Sequence, residues 1–226
     1  MKIFIILKKK SERIKNKNFV KFNKLELYKK VLYKFKDFEV FVDTDSEKII
    51  KEGKKDKKLS HCFFYKRNEE FISMEKKSNK SPTPLMIKNF LTNFVTKNNE
   101  IVVTSHVTSP FLKISTLKNA VSKMKNYNSV ASCIKTQNFA YVMKNELYKP
   151  VNFNKNIIQK TQTLPYLITL VGAFFILKKN IFLKNGLQRI SSKNYFYPLD
   201  FPENIDIDNY IDLKLALKIN KSKNFL

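Results

Sequence analysis

The chain opens on an unbroken apolar run, "KIFIIL" from Lys2 to Leu7, and then turns abruptly polar in "KKKSERIKNKN". A run that is apolar at every position has no solvated face, so it predicts a strand buried on both sides of a sheet. In "LELYKKVLYKF" the positions Leu25, Tyr28, Leu32 and Phe35 recur at three- and four-residue spacing, which predicts a helix packed back on that strand. "EVFVDTD" and "HCFFY" predict a second and a third strand, the second ending in a polar tip at Asp43, Thr44 and Asp45. "PLMIKNFLTNFV" predicts a helix with Leu85, Asn89, Phe90 and Phe94 in phase and Pro84 in its first turn, where a missing N–H costs nothing. "EIVVTS" gives a further strand, followed by "HVTSPF" and a helix through Ile114, Leu117, Val121 and Met124.

Strands alternating with helices predict an α/β fold with a parallel, helix-covered sheet. After Asn128 the alternation stops. "SVASCI", "FAYVM" and "ITLVGAFFIL" read as strands with no helix between them, joined by a Lys/Asn-rich stretch from Val151 to Lys160. That pattern predicts an antiparallel arm leaving the core. The chain closes with an extended segment through "YFYPLDFPENIDID" and a last helix, with fraying expected in the tail "NKSKNFL".

Composition narrows the function. A chain of 226 residues buries roughly 70% of the surface its unfolded form exposes. With 43% hydrophobic residues, 20 Phe and 10 Tyr it has the material for that core. The formal charge of +25 would attract nucleic acid or an anionic membrane. The excess is nearly all lysine, however, and it is spread along the chain; Arg13, Arg67 and Arg189 are the arginines. No element concentrates the Arg and Asn that direct base readout favours, so no specific nucleic-acid partner is expected. Cys62 and Cys133 have neither a CxxC nor a zinc spacing and read as free thiols in a reducing compartment. No secretory signal is seen, and the longest apolar stretch, Leu164 to Leu177, falls short of the ~20 residues of a membrane span. A soluble, cytoplasmic protein is expected.

Gly53, Gly172 and Gly186 are the only glycines, so neither a dinucleotide fingerprint nor a Walker A loop can be built. The sharpest constellation is "ENIDIDNYIDL". In extended chain Asp206 and Asp208 share a face and Ile207 points the other way. Adjacent carboxylates repel unless a cation lies between them, and oxygen ligands of this kind suit Mg²⁺. A solvated edge strand leading into an Asp cap is the competing reading. Asp212 belongs to the start of the last helix, where a carboxylate favours the dipole. "VDTDSEK" reads either as a turn with Asp45 or Ser46 capping a short helix, or as a strand tip facing a ligand crevice. His61 and His106 have no triad partners; His106, at the end of a predicted strand, is the more interesting of the two.

Taken in order, these pieces resemble the acylneuraminate cytidylyltransferase family, the CMP-sialic acid synthetases and their relatives, from Lys2 to about Ile219. That family opens on a motif of the form A-R-G-G-S-K-R-I-P-N-K-N, which Ser11, Arg13, Ile14, Asn16, Lys17 and Asn18 keep. Its S-T-D-S is met by Asp43 to Ser46, and its arginine after the third strand by Arg67. "HVTSP" stands for its Q-P-T-S-P. Lys160, Gln162, Leu164 and Pro165 stand for its R-x-Q-d-L-P, and the D-I-D with a following D-L is intact.

The resemblance implies a Rossmann-like, mostly parallel sheet of the nucleotide-diphospho-sugar transferase type, spanning residues 1–226 as a single domain with a dimerisation arm at about 136–166. It implies transfer of CMP from CTP to the anomeric hydroxyl of a sialic-acid-like 2-keto-3-deoxy sugar acid, with release of pyrophosphate, in a homodimer that makes surface glycan precursors. On it Lys8, Ser11, Lys17, Asn18 and Arg67 serve the nucleotide, and His106, Lys160 and Gln162 the sugar acid. Asp206 and Asp208 hold Mg²⁺, and Lys17 and Asp208 are the catalytic pair. "KNKN" leans to the sialic branch, since the deoxyoctulosonate branch has R-L-P-G-K-P.

Departures are specific. Lys8 replaces the family arginine and Lys9-Lys10 its Gly-Gly, which makes any positive φ there costly. Lys15 replaces a proline, and Asn23 a glycine, the latter exchange being the one left-handed geometry tolerates best. His106 replaces a glutamine and Val171 an asparagine. A non-catalytic descendant that binds a nucleotide or a glycan-pathway partner, and a basic nucleic-acid-binding protein, are the alternatives.

Overall fold

In a computed structural model, which describes residues 1–77 and 81–222, the chain forms a seven-stranded sheet with helices on both faces. β1 (Lys2–Leu7) lies at the centre, where its continuous apolar run is buried on both sides. It pairs in parallel with β4 (Glu39–Thr44) on one side and β6 (Ile101–Ser105) on the other, and β5 (Cys62–Lys66) adds in parallel to β4. β7 (Ser129–Thr136), β10 (Leu167–Lys178) and β11 (Asn194–Pro198) complete the order β11-β7-β10-β6-β1-β4-β5. β10 runs antiparallel to both neighbours, and all other pairings in this sheet are parallel. The sheet is therefore mostly parallel, as the alternation of elements predicts.

Parallel strands align their C-terminal ends along one edge, where open α/β sheets bind ligands. Lys8, Asp45, Arg67 and His106 follow directly on the strands that end there. One apolar cluster lies under α1 (Leu27–Lys34), α5 (Ile114–Ser122) and α7 (Tyr210–Lys221). The other lies on the opposite face under α4 (Thr83–Phe94).

Two helix readings need adjustment. Leu25 lies in β3 (Leu25–Glu26), which hairpins with β2 (Lys21–Phe22), and it is exposed. In α4 the buried stripe is Met86, Ile87, Phe90 and Leu91, whereas Leu85 and Phe94 pack at its margin and Asn89 bonds to Asn93. Three of the four residues assigned to that face were one step off the buried stripe. α2 (Glu47–Lys55) is capped by Ser46, whose Oγ accepts from the Ile49 N–H at 3.4 Å, which resolves the Asp45/Ser46 alternative. α3 (Glu69–Lys77) and α6 (Lys179–Lys184) carry too little periodic signal to be read from sequence.

The expected arm is present. β8 (Tyr141–Lys144) and β9 (Leu147–Pro150) form a separate antiparallel hairpin. It presents Tyr141, Val142, Met143, Leu147 and Tyr148 to solvent. Of the tail expected to fray, Asn220 is buried on α7, and residues 223–226 lie outside the described residues. Among the described residues, no helix is long and apolar enough to cross a membrane.

Candidate active site

The loop after β1 is built by local hydrogen bonds. The Lys9 N–H donates to Asp45 Oδ1 at 2.5 Å, tying the loop to the tip of β4. Asn18, buried in the turn Lys17–Phe19, donates from Nδ2 to the Lys8 carbonyl at 2.7 Å and so closes the loop on itself. Asn16 takes the left-handed conformation at φ 55°, and Asn23 does the same at φ 58°. Lys9 and Lys10 are not among the positive-φ residues, so the feared cost of replacing Gly-Gly does not arise.

Lys17 reaches from this loop to the segment before α7. Its Nζ donates to the Ile207 carbonyl at 2.6 Å and lies 3.8 Å from Asp208 Oδ1. Burial lowers the Lys17 pKa, while Asp208 and Asp206 pull it back up. Arg13 Nη2 pairs with the same Asp208 oxygen at 3.0 Å; the sequence motif included Arg13 but gave it no role. The cleft above these residues encloses about 290 Å³ and is lined by Lys8, Ser11, Arg13, Lys17, Asn18 and His106. Thr83, from the start of α4, closes it on a side that sequence reasoning did not anticipate.

Arg67 is placed differently. Its side chain is fully buried, with Nε on Asp43 Oδ1 at 2.6 Å and Nη1 on Glu75 Oε2 at 3.3 Å. Glu75 also takes Lys8 Nζ at 3.3 Å. Arg67 thus braces the tip of β4 and reaches Lys8 through a shared carboxylate, rather than lining the cleft.

The paired-aspartate segment alternates in burial, with Ile205 and Ile207 buried and Asp206 and Asp208 half-buried. Ile207 is buried and its N–H donates to the Thr108 carbonyl at 2.9 Å, which fixes the segment against the "HVTSP" loop. Asp212 closes a capping box with Asn209 and accepts from the Asp208 and Asn209 N–H groups, each at 2.9 Å. Asp206 and Asp208 line a second cleft of about 400 Å³ with Val171 and Ile134. Burial holds the His106 pKa down, with the Asp206 charge acting against it.

Asp206 and Asp208 also have the means to hold a cation. Asp206 Oδ1 is buried with no hydrogen-bond partner among the described residues, and a Cβ on Gly172 would come within 2.6 Å of Asp206 Oδ2. The absence of a side chain at Gly172 is what gives that carboxylate its room. Among the described residues no cluster of three or more His, Cys, Asp or Glu is poised as a metal cage. One or two carboxylates, with water and phosphate oxygens completing the shell, is the way Mg²⁺ is usually bound, so the residues present fit that ion.

Lys160 and Gln162 are both exposed near the base of the arm. The backbone carbonyl of Gln162 accepts from Gln137 Nε2 at 3.0 Å. Neither lines the two clefts described.

A cationic loop and an acidic segment thus meet at the C-terminal edge of a mostly parallel sheet, the edge where open α/β sheets bind ligands. The chain belongs to the cytidylyltransferase family, which it matches over residues 3–215. It also resembles solved structures at low identity. The 4-diphosphocytidyl-2C-methyl-D-erythritol synthase of Anaerococcus prevotii is 12% identical, with a TM-score of 0.62 and 96% of each chain covered. A CMP:2-keto-3-deoxy-manno-octonic acid synthetase complexed with CTP is 10% identical, again with a TM-score of 0.62 and 96% of each chain covered. The 2-C-methyl-D-erythritol 4-phosphate cytidylyltransferase of Francisella tularensis is 14% identical, with a TM-score of 0.59, 95% of this chain and 97% of that one being covered. No curated protein matches the chain in sequence.

Proposed function

We propose that this protein is an acylneuraminate-type cytidylyltransferase. It transfers CMP from CTP to the anomeric hydroxyl of a sialic-acid-like 2-keto-3-deoxy sugar acid, in the cytoplasm, for surface glycan synthesis. The observation that carries the reading is the bond from Lys17 Nζ to the Ile207 carbonyl at 2.6 Å, which brings the basic loop and the aspartate pair to one point.

In this reaction the anomeric hydroxyl gives up its proton to solvent and its oxygen forms a bond to the α-phosphorus, as the bond from that phosphorus to the bridging oxygen of the β-phosphate breaks and pyrophosphate leaves with that oxygen. Catalysis of phosphoryl transfer is chiefly positioning and charge neutralisation. Lys8, Ser11 and Asn18 bind the triphosphate beside the loop amides, and Arg67 keeps Lys8 in place through Glu75. Lys17 neutralises charge that builds on the α-phosphoryl oxygens. Asp206 and Asp208 hold Mg²⁺, which when bound supplies further neutralisation of the phosphates. His106 borders the acceptor, and Lys160 and Gln162 are carried on the arm to the acceptor of a second copy. Residues 1–226 form one domain with an arm at about 136–166, and the apolar face of that arm dimerises the protein.

Incubation with each of the four nucleoside triphosphates, Mg²⁺ and a panel of sugar acids tests this. Pyrophosphate release with CTP and one acid of the nonulosonic class is expected. CTP binding without turnover of any acid would favour a non-catalytic descendant.

A further inference from the structure

We propose that Arg189 takes the carboxylate of the sugar-acid acceptor, an inference that rests on the function proposed above. Arg189 lies in the loop between α6 and β11, its guanidinium carbon 3.8 Å from the centroid of the Phe175 ring. Among the described residues it has no hydrogen bond or ion pair, and burial alone lowers its pKa. The other two arginines are both paired with carboxylates, Arg13 with Asp208 and Arg67 with Asp43. A largely buried cation without a counter-ion is costly, and an anionic ligand removes that cost.

Its position fits the acceptor. Phe175 pairs with Thr104 on β6, so these two share one face of the sheet, and His106 follows two residues beyond Thr104. The Cβ position of Gly172 on β10 lies 3.9 Å from His106 Cγ and 2.6 Å from Asp206 Oδ2, so His106 and Asp206 border one spot beside the strand that carries Phe175.

The chemistry fits as well. A guanidinium flat on an aromatic ring keeps its N–H edge free, and that edge matches a carboxylate in bidentate fashion. In a 2-keto-3-deoxy acid the carboxylate is borne on the anomeric carbon. Anchoring it therefore orients the very hydroxyl that attacks phosphorus.

The probe is pyruvate, the 2-keto-acid fragment shared by every acceptor of this class, titrated into the CTP-loaded full chain and followed by NMR. Saturable binding is expected in the native protein, at least 10-fold weaker in Arg189→Gln and intermediate in Arg189→Lys, which keeps charge without the fork. CTP affinity should stay within about 2-fold in both variants, since Arg189 lies outside the triphosphate contacts. No pyruvate binding to the native protein, or binding unchanged by Arg189→Gln, overturns the proposal. A lower melting temperature in Arg189→Gln with unchanged pyruvate binding does so too, since it would make Arg189 a cover for Phe175 only. Pyruvate binding that depends on Arg189, with no turnover of any larger acid, would leave Arg189 standing and sink the sialic-acid reading.

Discussion

Lys17 and Ile207 lie 190 positions apart in sequence, yet the lysine ammonium is 2.6 Å from the Ile207 carbonyl oxygen. This bond joins the loop after the first strand to the segment before the last helix, and the geometry of the candidate site depends on it. Lys17→Met should lower kcat by about 10²-fold or more, the scale lost when one preorganised charge contact to a transition state is removed. The variant should still fold, because only one hydrogen bond and a weak 3.8 Å ion pair are lost. Steady-state kinetics beside circular dichroism check this; native kcat in a folded Lys17→Met would remove Lys17 from the chemistry.

Gly172→Ala probes the aspartate pair without changing a charge. The added Cβ would come within 2.6 Å of Asp206 Oδ2, so the carboxylate has to move. Mn²⁺ binding in the presence of CTP should weaken at least 10-fold by this variant, and by Asp206→Asn to a similar degree. Unaltered Mn²⁺ binding in both would place the cation elsewhere.

Arg67 is expected to matter more for stability than for contact with the nucleotide. Removing one partner of a buried pair leaves the other uncompensated, at a cost of about 3–5 kcal/mol. Arg67→Met should lose stability on that scale in urea unfolding, and Asp43→Asn added to it should restore part of the loss, because Asp43 is the charge left stranded at 2.6 Å. If the double variant is no better than the single one, the Arg67–Asp43 pair is not what braces the tip of β4.

Lys34 supplies a pH signature. Burial, with the Lys30 charge, pushes its pKa down to about 7, against the opposing pull of Glu203. Its Nζ donates to the Pro110 and Leu112 carbonyls, in the loop leading to α5. The unfolded chain holds the proton up to the ordinary lysine value of 10.5, so between about 7 and that value it binds more protons than the folded state. Stability from this group therefore rises with pH across that window and falls away as pH drops through 7. The melting temperature of the native protein, measured relative to Lys34→Met, should climb between pH 7 and pH 9.5. Parallel curves would contradict the shift.

Much of this was legible in the sequence, for reasons that differ by element. The KIFIIL run identified the central strand because a strand buried on both faces leaves no polar position. The D-I-D segment identified itself through period-two alternation, with Ile207 in the core and the aspartates out of it. What stayed hidden depends on long-range packing. The Lys17–Ile207 bond and the Arg13–Asp208 pair are closed by the fold, and no local pattern announces them. The α4 stripe was misread because Leu85, Phe90 and Phe94 make a helical pattern of their own, and only the facing strands select Met86, Ile87 and Leu91. Arg189 carries no motif; that it has no counter-ion among the described residues is visible only once the sheet is assembled.

The most direct test of the central claim is ³¹P NMR of a reaction holding CTP, Mg²⁺ and N-acetylneuraminic acid or another nonulosonic acid. The account predicts that the three CTP resonances give way to one phosphodiester signal and one pyrophosphate signal in equal molar amounts, and that Asp208→Asn stops the conversion. A CTP spectrum unchanged over hours with every acid offered, from protein shown to be folded and to bind CTP, would contradict it.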